Sequence, residues 1–129
     1  MIQPVSYTHL TLPGVTRISH GVRAIEDPAL VAEIAERGLV LEVCPGSNVA
    51  LGVYPSFEAH PLPELHAAGV QVTLGSDDPP YFATSIGREY DIAGARMGFG
   101  DGELVEMTRT ALDAAFADDA LKADLLARL

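Results

Sequence analysis

The feature that most constrains this chain is a repeated order of helix, glycine and apolar strand, with each strand running straight into a polar turn. In the first copy, Asp27 is placed to cap a helix and Pro28 suits its first turn. Leu30, Val31, Ile34 and Ala35 share one helical face, Gly38 ends the helix, and a strand is expected over 39–44. In the second copy, Pro63 starts a short helix that runs to Ala68, Gly69 ends it, and a strand is expected over 70–74. The turn-forming clusters that follow are CPGSN and GSDDPP. An earlier strand, 15–19, ends at His20-Gly21. Strand, helix, strand, helix, strand is the order of parallel strands joined by right-handed crossovers, as in an α/β barrel or a doubly wound sheet.

Beyond Phe82 the pattern turns helical. Helices are expected over 86–97, 104–116 and 118–129, with Gly98, Gly100 and Gly102 separating the first two. The 129 residues are enough for one compact domain. A complete TIM barrel needs roughly 250 residues, about twice as many. Net charge is −10, and the 8 basic residues are scattered. Nucleic acid is therefore not the expected partner, because holding a phosphate backbone takes clustered Lys and Arg. Uncharged nucleosides and bases remain open to it. One cysteine, Cys44, excludes an internal disulfide. With no long apolar run and no basic, then apolar, leader pattern, the expected setting is the cytoplasm and not a membrane.

In barrels, chemistry sits on the loops after the C-terminal ends of the strands. Three polar clusters stand at such ends: Ser19-His20-Gly21, Cys44-Pro45-Gly46-Ser47-Asn48 and Ser76-Asp77-Asp78-Pro79. Neighbouring strands lie ~4.8 Å apart, which leaves the first and third clusters roughly 10 Å apart across the middle strand. Inward-pointing side chains from both can approach one central atom. A histidine nitrogen and an aspartate oxygen are both zinc ligands, and zinc makes hydroxide available from bound water near neutral pH. Other polar residues read as structural. His60 starts a helix or packs under a loop, and His66 is solvated. Cys44 is a small core residue, and Glu42 needs an ion-pair partner. Ser47 and Asn48 hold their loop through bonds to the backbone.

HG after one strand, CPGSN after the next, then HPL at His60–Leu62 and SDDP at 76–79 together resemble the adenosine deaminase family in order and spacing. The likeness runs from about Arg17 to Tyr90. It implies the C-terminal part of a TIM (β/α) barrel of the metal-dependent hydrolase type, with extra C-terminal helices. It also implies one Zn2+, a purine nucleoside or base as ligand, and hydrolytic deamination of a 6-aminopurine. By the same resemblance Asp77 matches the zinc-ligating aspartate, which also contacts the attacking water. Asp78 matches the residue that hydrogen-bonds a purine ring nitrogen. His20 matches the catalytic histidine that orients the zinc-bound hydroxide. Zinc deaminases of the His/Cys/Cys class carry a PCxxC motif, which this sequence lacks.

The family pattern also has an early His-x-His pair, a later histidine and a proton-shuttling glutamate ahead of the HG strand. None of these is present in the 129 residues, so of four expected protein ligands only Asp77 remains. Met1–Pro13 does not resemble the family at that place and reads as an unmatched, foreign segment before a deaminase-like portion over 14–129. Adenosine is the first substrate expected, with adenine or a related 6-aminopurine nucleoside as the near alternative. Taken as a polypeptide by itself, the chain reads as an inactive truncated barrel, a binding module at most. Its open sheet edges invite self-association. A sugar or phosphate site on another α/β fold would need a Gly-rich phosphate loop, and none occurs.

Overall fold

The computed structural model describes residues 6–129, and side chains from Thr8 onward. The reading of residues 1–13 as foreign lies partly outside the described residues. Three parallel strands, β1 (Arg17–Ser19), β2 (Val40–Val43) and β3 (Gln71–Leu74), form one sheet in the order β1-β2-β3. Arg17 pairs with Val40 and Val40 with Gln71, so the three strands start level, and β2 and β3 run one residue beyond β1. Parallel pairing requires crossovers, and α2 (Pro28–Glu36) and α4 (Leu62–Ala67) supply them.

Local chemistry explains the boundaries. Asp27 Oδ1 accepts the backbone N–H groups of Ala29 and Leu30 at 3.0 and 3.3 Å, which caps α2 as its sequence implies. Leu30, Val31 and Ile34 then face the sheet and are buried. β2 is covered on both faces, and accordingly Val40, Leu41 and Val43 form a near-continuous apolar run. Its one polar residue, Glu42, finds the ion-pair partner it needs in Arg17, at 3.3 Å, and Ser19 Oγ donates to it at 3.2 Å.

Two departures from the sequence pattern have physical causes. CPGSN does not remain a turn: Pro45 sits in the first turn of a short helix, α3 (Pro45–Ala50). The helix expected over 104–116 is α7 (Asp101–Ala114) and starts three residues earlier. Glu103 Oε2 accepts the Gly100 N–H at 2.9 Å, which caps the start and carries Gly102 into the helix. Helix α6 (Ile86–Met97) has the expected bounds, and α8 (Asp119–Leu126) buries no residue fully.

The core lies between the sheet and α2, α4, α6 and α7, with Met107 of α7 and Ala93 of α6 among its buried members. An N-terminal turn of helix, α1 (Ser6–Leu10), adds Leu10 to it. Arg17 ties the far end of the chain to β1. Its Nη1 donates to the Ala114 carbonyl at 3.4 Å, and its guanidinium lies 4.0 Å from the centre of the Phe116 ring. Among the described residues, no helix is long and apolar enough to cross a membrane.

Candidate metal and purine site

The ladder of the sheet continues past the strands and fixes the first site residues. The His20 N–H donates to the Glu42 carbonyl at 2.8 Å, and the Gly75 N–H to the Val43 carbonyl at 2.8 Å. The backbone then bends sharply. His20 and Asp77 both adopt the left-handed conformation, at φ 58° and 54°. For residues with a β-carbon this costs roughly 1–2 kcal/mol each, and such strain clusters at functional sites. The bend at His20 needs glycine next to it. Gly21 is itself at φ 72°, and a β-carbon there would stand 2.7 Å from Leu41 Cδ2.

These turns bring His20 and Asp77 together. His20 Nε2 lies 3.6 Å from Asp77 Oδ2, beyond a hydrogen bond and suited to two groups facing one small ion. Cys44 Sγ completes a group of three possible donors, all within 4.8 Å of one another. His20 Nδ1 is shielded from solvent without a hydrogen-bond partner. Imidazole, carboxylate and thiol are all zinc donors, so the residues present fit that metal. Asp77 and His20 expose about a third and two fifths of their side chains, which leaves the cluster open to solvent on one side.

Cys44 is not a nucleophile. Burial, and then the nearby Asp77 carboxylate, push its thiol up to about 11. Without a metal it is a small, protonated core residue, and as a zinc donor it would act as the thiolate.

Asp78 is not drawn into the cluster. It is exposed and caps the one-turn helix α5 (Pro79–Phe82), its Oδ1 accepting the Tyr81 N–H at 3.4 Å.

Several partners escaped the sequence. Ser47 does not brace its own loop: buried, it donates from Oγ to Asp77 Oδ2 at 2.7 Å. Asn48 likewise turns to a side chain, its Oδ1 lying 2.9 Å from His60 Nε2. His60 Nδ1 accepts the Leu62 N–H at 3.1 Å, so this ring both starts α4 and braces α3. Burial lowers His60 to about 4, and the ring is neutral. His66 keeps about a third of its side chain in solvent while its ring packs edge-on with that of Phe99, ring centroids 5.4 Å apart. Glu89, outside every motif of the sequence, is fully buried beside α3. Its signal was a carboxylate one turn before buried Ala93, on the apolar face of α6.

The sequence profile described as adenosine deaminase matches residues 7–129. An adenine deaminase of Sinorhizobium medicae is 63% identical over 113 residues, 88% of this chain and 35% of the relative. The chain thus spans about a third of the length of such relatives. The crystal structure of an adenine deaminase from Arthrobacter aurescens superposes with a TM-score of 0.89 at 35% identity, over 97% of this chain and 39% of that one. An amidohydrolase from Burkholderia ambifaria, solved with bound zinc, superposes with a TM-score of 0.82 at 28% identity, over 95% of this chain and 34% of that one. The open three-stranded sheet is therefore part of a deaminase barrel, as the alternating pattern and the strand-end clusters imply, and the chain belongs to the adenosine deaminase family.

Proposed function

We propose that these residues form the strand-end part of a zinc site that hydrolyses adenine. Adenine and water give hypoxanthine and ammonia: an oxygen bonds to the amino-bearing carbon, and the carbon–nitrogen bond breaks. The observation that carries this reading is the approach of His20 and Asp77 over the C-terminal ends of β1 and β3.

Asp77 would hold the metal through its carboxylate. When bound, zinc supplies the Lewis acidity that makes water a nucleophile near neutral pH. His20, held by its strained backbone, points Nε2 at the same place and can hydrogen-bond or accept a proton there. Ser47 fixes one Asp77 oxygen and so sets the angle of the carboxylate. Asp78 would meet a ring nitrogen of the purine; its cap to α5 uses Oδ1, which leaves Oδ2 for the ligand. By family resemblance, the remaining ligands and the proton-shuttling glutamate belong to sequence ahead of the His20 strand. Adenine is favoured over adenosine because the Sinorhizobium relative and the Arthrobacter structure are both adenine deaminases.

The test places these residues in a complete barrel. The 113 matching residues replace their counterpart in the Sinorhizobium enzyme, and zinc content and turnover of adenine and adenosine are measured. Adenine turnover with about one zinc is expected, and Asp77→Ala should remove both. Preference for adenosine would overturn the substrate assignment. Full zinc and full rate in Asp77→Ala would overturn the ligand assignment.

A further inference from the structure

Glu89 poses a problem that the proposed chemistry does not use. Its side chain is fully buried, and a buried carboxylate is costly unless its oxygens are satisfied. Two donors satisfy them. The Gly46 N–H donates to Oε2 at 2.9 Å, and Thr84 Oγ1 donates to Oε1 at 2.6 Å. No Lys, Arg or His side chain pairs with it among the described residues. The fit is tight on one side: a β-carbon at position 46 would collide with Glu89 Oε1. Gly46 immediately precedes Ser47, whose hydroxyl reaches Asp77.

From this chain of contacts we infer that Glu89 is a positioning residue for Asp77, acting through Gly46 and Ser47. The inference rests on the proposed function only for what Asp77 then does; the positioning itself is a property of the fold. Glu89 fixes the backbone at the start of α3. That backbone fixes where the Ser47 hydroxyl stands, and the hydroxyl selects one orientation of the Asp77 carboxylate. A partner that orients a ligand in this way typically changes metal affinity by 10–100-fold when removed. Gly46 fits the same account, since only a residue without a side chain lets Glu89 approach the α3 backbone this closely.

The test uses the full chain and two readouts. The first needs no metal: the 13C chemical shift of the Asp77 carboxyl carbon, compared in the native chain, Glu89→Gln, Ser47→Ala and the double variant. The glutamine keeps the size of the side chain and removes a carboxylate oxygen. Glu89→Gln should move the Asp77 signal in the native background and leave it unmoved in the Ser47→Ala background. An equal shift in both backgrounds, or none in either, overturns the inference. Should Glu89→Gln fail to fold, Gly46→Ala disturbs the same contact from the other side, and the same pattern is expected of it.

The second readout is Co2+ affinity. It should fall roughly 10-fold in Glu89→Gln, be lost in Asp77→Asn, and show no further loss from Glu89→Gln once Ser47 is alanine. Coupled carboxyl shifts with Co2+ binding indifferent to Asp77→Asn would uphold the positioning and sink the metal assignment. Uncoupled shifts with Asp77-dependent Co2+ binding would do the reverse.

Discussion

Along β2, Leu41 and Val43 are fully buried among apolar side chains, whereas a few residues further on Ser47 is buried in order to hold a carboxylate. The apolar layer has ordinary strand geometry and no polar debts. The strand ends carry left-handed backbone at His20 and Asp77, an unpartnered ring nitrogen and a fully buried glutamate. The lower layer supplies stability, and the upper layer spends part of it on geometry. The two layers meet at Gly21, where the backbone of the upper layer touches Leu41 of the lower.

Substitutions can break this contrast or sharpen it. Leu41→Ala should cost the most, about 3–4 kcal/mol in urea unfolding, because it opens a cavity under the site. A loss below about 1 kcal/mol would mean the layer is loosely packed.

His60 comes next. Its ordinary value near 6.5 falls to about 4 in the fold, so the unfolded chain takes up a proton that the native chain refuses. The neutral ring's contribution is complete above pH 6.5 and is lost as the pH falls toward 4, about 3 kcal/mol in all. Urea midpoints between pH 7 and 4 should record that slope, and His60→Gln, which does not titrate, should flatten it. An unchanged slope would remove His60 from the account.

Gly21→Ala should cost about 2 kcal/mol, from the left-handed backbone and from the clash with Leu41. Pairing it with Leu41→Ala, which clears the space, should recover the clash part. Additive losses would show that the two layers do not touch in solution.

The smallest effect has the opposite sign. His20→Asn puts in place of histidine a residue that adopts φ 58° more readily still, and should raise stability by a few tenths of a kcal/mol. A drop of more than about 1 kcal/mol would mean that the histidine ring, and not the strained turn, dominates at that position.

Much of the fold was legible because its punctuation is local. Asp27 marks a helix start by its capping carboxylate, Gly38 and Gly69 mark helix ends by their backbone freedom, and β2 declares its double burial by an apolar run. The approach of His20 and Asp77 could be read from strand order and strand spacing alone. What surrounds them could not. Ser47 meets Asp77 across 30 positions and Glu89 meets Gly46 across 43. Neither pairing leaves a mark in spacing, because each depends on where α3 and α6 come to rest. Asp78 shows the converse: its neighbours in sequence explain its cap to α5, and only a bound purine would reveal a second use.

Arg17 has a consequence in time. It belongs to the first strand, yet its carbonyl partner Ala114 lies 97 residues downstream. At roughly 5–20 residues per second, a ribosome needs about 5–20 s to deliver that partner. Once Glu42 is made, the strand leading to His20 can be held by it but still lacks its clasp to the end of α7 and to Phe116. The turn that presents His20 can therefore be seated early, while the strand beneath it is locked only when the end of α7 arrives.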